Sequence, residues 1–132
     1  MTGPAFRDDL AVRLQAALAE VAATIIAHAP GARFHFEFPA SRLYAFVGLL
    51  IFTHEDDPTT EEAVLSVQLS ELPTTTWTID IVGRDSVLLA ELTNLSPDSA
   101  LRMAAEPAAA ADTVTTFLRE NAGLIAREID GQ

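Results

Sequence analysis

Near the start of the chain, apolar residues return every three or four positions. Leu10, Leu14, Leu18, Val21 and Ile25 form one stripe, and this spacing predicts an amphipathic helix over residues 5–28. Alanines fill many of the remaining positions, which suits a helix. Asp8 and Asp9 are expected in its first turn and His28 in its last, where the helix dipole favours acids and cations respectively. Ala29-Pro30-Gly31 then stops it.

After that stop the period drops to two. In "RFHFEF", Phe34, Phe36 and Phe38 alternate with Arg33, His35 and Glu37, the signature of a half-buried strand. "AVLSVQLS" sets Ala63, Leu65, Val67 and Leu69 against Ser66, Gln68 and Ser70. "TWTIDIV" sets Trp77, Ile79 and Ile81 against Thr76, Thr78 and Asp80. "VLLAELT" alternates less cleanly, with Leu88, Ala90 and Leu92 opposite Val87, Leu89 and Glu91. "GRDS" between the last two reads as a hairpin turn, with Gly83 expected to supply a positive φ.

The second strand breaks the pattern. "RLYAFVGLLIF", residues 42–52, is apolar at both parities: Leu43, Ala45, Val47, Leu49 and Ile51 in one set, Tyr44, Phe46, Gly48, Leu50 and Phe52 in the other. Antiparallel sheets commonly solvate one face, so one of these sets needs a cover. The chain itself, a second copy or a foreign protein are the three possible covers.

Beyond the strands, Ser96-Pro97 marks a helix start, with Ser as cap and Pro in the first turn. A short helix is expected over residues 97–105, and a longer one over 107–129 after the break at Pro107. Gly131 is read as the stop of the latter. The order is helix, five strands, helices. That predicts one α+β domain over residues 1–132, with an antiparallel meander carrying its helices on one face. This helix-then-meander order resembles the cystatin-type arrangement, in which a sheet wraps a helix. Length, acidity and terminal helices also resemble small acidic secretion chaperones, which are often dimers. Neither resemblance rests on a matched motif, so no functional residues are carried over from them.

Charge narrows the choice of partner. Nineteen acids face eight bases, all arginine, for a net charge of −11. Such a surface argues against nucleic acid and anionic membranes and favours a basic protein. The chain has no cysteine, which excludes disulfides, thiolate metal sites and a cysteine nucleophile. The acids at residues 8 and 9 interrupt any signal-peptide h-region, and the run from Leu43 to Phe52 is too short for a membrane helix, so a cytoplasmic location is expected.

Candidate chemistry is sparse. "HEDDPTTEE" gathers Glu55, Asp56, Asp57, Glu61 and Glu62 without a local base. It lacks the spacing and glycine of a calcium loop, so it reads as a solvated acidic loop able to steer a basic partner. His35 and Glu37 share a strand face and are close enough to touch, but no nucleophile accompanies them. No phosphate-binding glycine pattern and no nucleophile elbow occurs. Trp77, alternating with two isoleucines, reads as core. No catalytic residue, metal or cofactor is expected.

These features favour a small, acidic, non-enzymatic binding module of the chaperone or adaptor kind. Tyr44, Phe46, Leu50 and Phe52 are expected to supply apolar contacts, with Glu55, Asp56 and Asp57 as an acidic rim. The partner is expected to be a protein, basic in character, and the chain itself to form a homodimer through this face. One alternative is an immunity or antitoxin-type protein bound to a basic toxin. Another is a binder of a small apolar ligand, or an enzyme, with a pocket between sheet and helix lined by Phe34, Phe36, Tyr44, Phe46 and Trp77.

Overall fold

Leu10, Leu14, Leu18, Val21 and Ile25 form the buried stripe of helix α1 (Pro4–Ile26), and every later element packs in relation to it. The computed structural model describes residues 3–130. The chain adopts an α+β fold. After α1 come strands β1 (Ala32–Glu37), β2 (Phe46–His54), β3 (Ala63–Ser70), β4 (Thr76–Gly83) and β5 (Leu88–Glu91), then helices α2 (Pro97–Ala105), α3 (Pro107–Glu120) and α4 (Ala122–Ile129). Helix α1 ends at Ile26, so His28 lies beyond the helix rather than in its last turn. Asp8 and Asp9 fall past the first turn, where Asp9 accepts from the Arg13 guanidinium four residues on, at 3.0 Å.

The strands form one open antiparallel sheet in sequence order, β1-β2-β3-β4-β5. No α-helix intervenes between them, only a three-residue 3-10 turn (Arg84–Ser86) between β4 and β5, so each strand folds back beside the one before it. Strand β2 starts at Phe46, later than the apolar run suggests. The Ser41 hydroxyl accepts the backbone N–H groups of Leu43 and Tyr44, each at 3.1 Å. That local bond holds the segment in a turn instead of a ladder.

Register fixes which side chains share a face. Phe34 opposes Phe52, Phe36 opposes Leu50, and Leu50 in turn opposes Leu65. Leu65 opposes Ile81. All of these point toward the helices and join one core with α1, α2, α3 and α4. Trp77 belongs to it, and its indole N–H donates to the Ala100 carbonyl of α2 at 3.0 Å. A buried indole needs such a partner. The core is tight. The void lined by Leu14, Leu18, Phe36 and Phe38 amounts to about 10 Å³.

Strand β5 carries a bulge. Ile81 opposes Ala90 but Val82 opposes Leu88, so Leu89 is skipped. This extra residue accounts for the poor alternation of that segment: Leu88 faces outward while Leu89 and Ala90 both pack toward the core. The turn before it also differs from expectation. Asp85 and Ser86 have positive φ (57° and 60°), whereas Gly83 is extended. Gly83 is required for space instead. A Cβ there would lie 2.3 Å from the Glu128 carboxylate of α4, which accepts the Arg84 N–H at 2.7 Å.

Ser96 caps α2 by accepting the Ser99 N–H at 3.1 Å. The segment expected as one long helix is divided at Asn121 (φ −112°, ψ 12°), whose side-chain amide donates to the Phe117 carbonyl at 2.9 Å. The break turns α4 back so that it reaches β2 and β3. The expected stop at Gly131 lies outside the described residues. Among the described residues no helix is long and apolar enough to cross a membrane.

Candidate interaction surface

The face of the sheet turned away from the helices is built row by row from the strand register. One row runs Glu37, Leu49, Ser66, Asp80, Glu91 across the five strands. The next runs His35, Ile51, Val64, Val82, Leu88. Two residues along β2 from Leu49, Val47 heads a third row with Gln68 and Thr78. The result is an unbroken apolar line of four side chains, bordered by a row with three carboxylates. Neighbouring rows stand about 7 Å apart, the two-residue rise of a strand.

Exposure varies along this line. Leu88 is 53% exposed, and Val64 and Val82 are half-buried, as are Val47 and Leu49. Ile51 is only 1% exposed, yet it does not belong to the core under the helices. It is hemmed in by His35 and Val64, its partners in register, at the close spacing of cross-strand pairs.

The carboxylates of this face are differently placed. Glu37 meets His35, Nε2 to Oε2 at 3.0 Å, so the expected contact on β1 forms. Asp80 and Glu91 stand directly opposite each other, and neither forms an ion pair among the described residues. Burial, and then the charge of Glu91, raises the Asp80 carboxyl above the ordinary carboxylate value.

The residues expected to make apolar contacts fall elsewhere. Phe46, Leu50 and Phe52 are buried beneath the helices, and the outward set of β2 is Val47, Leu49 and Ile51. The largest side chains take the inner face because burial there removes the most apolar area from water. Gly48 belongs to the same inward set. A Cβ on it would lie 2.9 Å from the Phe46 ring and 3.2 Å from that of Phe38. Tyr44 precedes β2, half-buried, at one end of the sheet. Val64, Val82 and Leu88 were missed, although Val64 shares the parity of Ser66 and Val82 that of Asp80.

The acidic loop is less isolated in charge than its sequence suggests. Arg33 of β1 reaches Glu55 at 2.7 Å, and Arg84 pairs with Glu62, whose side chain is only 13% exposed. Asp56 lies 3.4 Å from the His54 ring. His54 Nε2 donates to the Pro30 carbonyl at 3.2 Å, while its Nδ1 accepts the Asp56 N–H at 3.1 Å. The ring therefore ties the loop to the turn between α1 and β1 through its Nε2–H tautomer. Asp57 accepts from the hydroxyls of Thr60 and Thr59, which together lower its pKa. Among the described residues, no three or more His, Asp or Glu side chains gather in a way that could hold a metal ion.

No protein-family model, curated protein or solved structure matches this chain.

Proposed function

We propose that the outer sheet face binds a basic, amphipathic segment of another protein, and that the chain is a small non-enzymatic binding module of the chaperone or adaptor kind. The observation that carries this reading is the accessible apolar line Val64–Val82–Leu88, backed by the buried Ile51, beside the carboxylates of Glu37, Asp80 and Glu91. A segment with aliphatic residues on one side and arginine or lysine on the other satisfies both rows together. A cation placed between Asp80 and Glu91 also relieves their mutual repulsion.

Charge separates this occupant from a second copy. A symmetric pairing through this face brings the same carboxylates together in duplicate, in a chain of net charge −11. A basic toxin bound by an immunity-type protein has the same surface chemistry as the proposed partner and is a member of that class. A ligand enclosed between α1 and the centre of the sheet is less well supported, because the void lined by Leu14, Leu18, Phe36 and Phe38 is about 10 Å³, against roughly 300 Å³ or more for a small-molecule site; the larger hollows, of about 290 Å³ beside Tyr44 and Phe46 and about 630 Å³ beside Trp77, lie away from it.

Selection from a displayed random-peptide library tests the reading. Enriched sequences are expected to be net basic with interspersed aliphatic residues, and to lose binding to a Val82→Glu variant. Enrichment of acidic sequences, or binding that survives Val82→Glu unchanged, refutes it.

A further inference from the structure

Four of the eight arginines, Arg7, Arg42, Arg119 and Arg127, form no ion pair with a carboxylate among the described residues. That is unexpected in a chain with more than two acids for every base. Arg7 from α1 and Arg42 from the turn before β2 both line a groove of about 560 Å³ at the end of the sheet where β2 begins and β3 ends. Glu71 also lines it, which leaves the lining with net charge +1 inside a strongly negative molecule.

The same groove collects the most exposed large hydrophobic side chains among the described residues. Leu43 is 83% exposed and Leu72 is 85% exposed, the two highest values among the large hydrophobics, and both line it with Tyr44. A second hollow of about 290 Å³ adjoins it, sharing Arg7, Tyr44 and Ala45. Apolar walls and two guanidiniums without an ion pair among the described residues thus occur together at one place, in a groove that no residue of the carboxylate row lines.

We propose that this groove binds a small amphipathic monocarboxylate, its carboxylate held between Arg7 and Arg42 and its aliphatic or aromatic body against Leu43, Tyr44 and Leu72. Guanidinium is suited to this task because it presents paired donors to a carboxylate and stays charged at any physiological pH. The aliphatic body accounts for the leucines, which on an ordinary surface gain nothing from exposure. The occupant is a free acid rather than a protein, since the chain's net charge of −11 repels an acidic macromolecule over its whole approach whereas one carboxylate meets only the local field. This site lies on a different part of the molecule from the outer sheet face, and its existence does not depend on the binding function proposed above.

The test is titration of the isotope-labelled full chain with decanoate below its aggregation concentration, followed by amide shifts in nuclear magnetic resonance. Decanol and decyltrimethylammonium serve as neutral and cationic controls. Saturable shifts are expected at Leu43, Tyr44 and Leu72. Arg7→Met and Arg42→Met, both at exposed positions, are each expected to weaken binding about tenfold, the loss of one charge-assisted contact. Leu72→Ser is expected to weaken decanoate without restoring affinity for the cationic control. Absence of saturable shifts, saturable shifts confined to another surface, equal affinity for decanol, or unchanged affinity in both arginine variants overturns the proposal.

Discussion

Asp80 of β4 and Glu91 of β5 oppose each other at one register position on the outer sheet face, two acids without a base between them. Like charges in directly opposed cross-strand positions destabilise a sheet. The pair therefore costs stability in the isolated chain, and its effects can be measured without knowing a partner.

Burial and Glu91 raise the Asp80 pKa above its ordinary value of 3.8. The folded state then keeps the Asp80 proton to higher pH than the unfolded chain does. Stability falls as pH rises through the interval between the ordinary and the raised value, and the penalty is complete above it. Asp80→Asn is expected to stabilise the protein at neutral pH by about 0.5 kcal/mol, the scale of a cross-strand pair. Thermal melts across the acid range check this: the gain should shrink to nothing below the ordinary carboxylate value.

Asp57 provides the opposite sign. Hydrogen bonds from Thr60 and Thr59 lower its pKa, so the stability it contributes is present above the ordinary value and is lost as pH falls through the lowered one. Asp57→Asn is expected to reduce the melting temperature at neutral pH. Its melting curve should converge with that of the native chain in strong acid.

The two faces of β2 separate by substitution. Phe52 is fully buried, and Phe52→Ala is expected to cost about 3–5 kcal/mol through lost transfer energy and an unfilled cavity. Leu49→Ala, on the outer face of the same strand, is expected to cost less, about 1–2 kcal/mol, because that side chain is only partly buried and lies outside the core. Urea denaturation of both variants measures the difference. Equal costs would show that the assignment of faces is reversed.

Gly83→Ala is expected to destabilise by about 1–2 kcal/mol, since the new methyl occupies the position of the Glu128 carboxylate and breaks its bond to the Arg84 N–H. The cost should be smaller when Glu128 is already alanine. A double-mutant cycle on chemical denaturation reads this coupling directly.

Much of the fold was legible because period and punctuation agreed. The strict alternation of "RFHFEF" and "TWTIDIV" gave β1 and β4, and Ser96-Pro97 located the start of α2. The break at Asn121 was not legible, since the apolar positions on either side of it fit one helix and only the docking of α4 against β2 and β3 requires the turn. The orientation of β2 was ambiguous because both parities are apolar. Gly48 carried the available signal, as a residue lacking a side chain belongs where the Phe38 and Phe46 rings crowd together. The opposition of Asp80 and Glu91 depends on the register between β4 and β5, which the bulge interrupts and the alternation of "VLLAELT" obscures.

That bulge also makes the two rims of the sheet unequal. Strand β5 is four residues long and its ladder is interrupted at Leu89, so it gives an incoming chain no continuous line of backbone donors and acceptors. Strand β1 is six residues long and regular against β2, with its other side unpaired within the sheet. Extension of this sheet by a further strand is thus open in one direction only, and Arg33, His35 and Glu37 on that strand are the side chains a newcomer must accommodate.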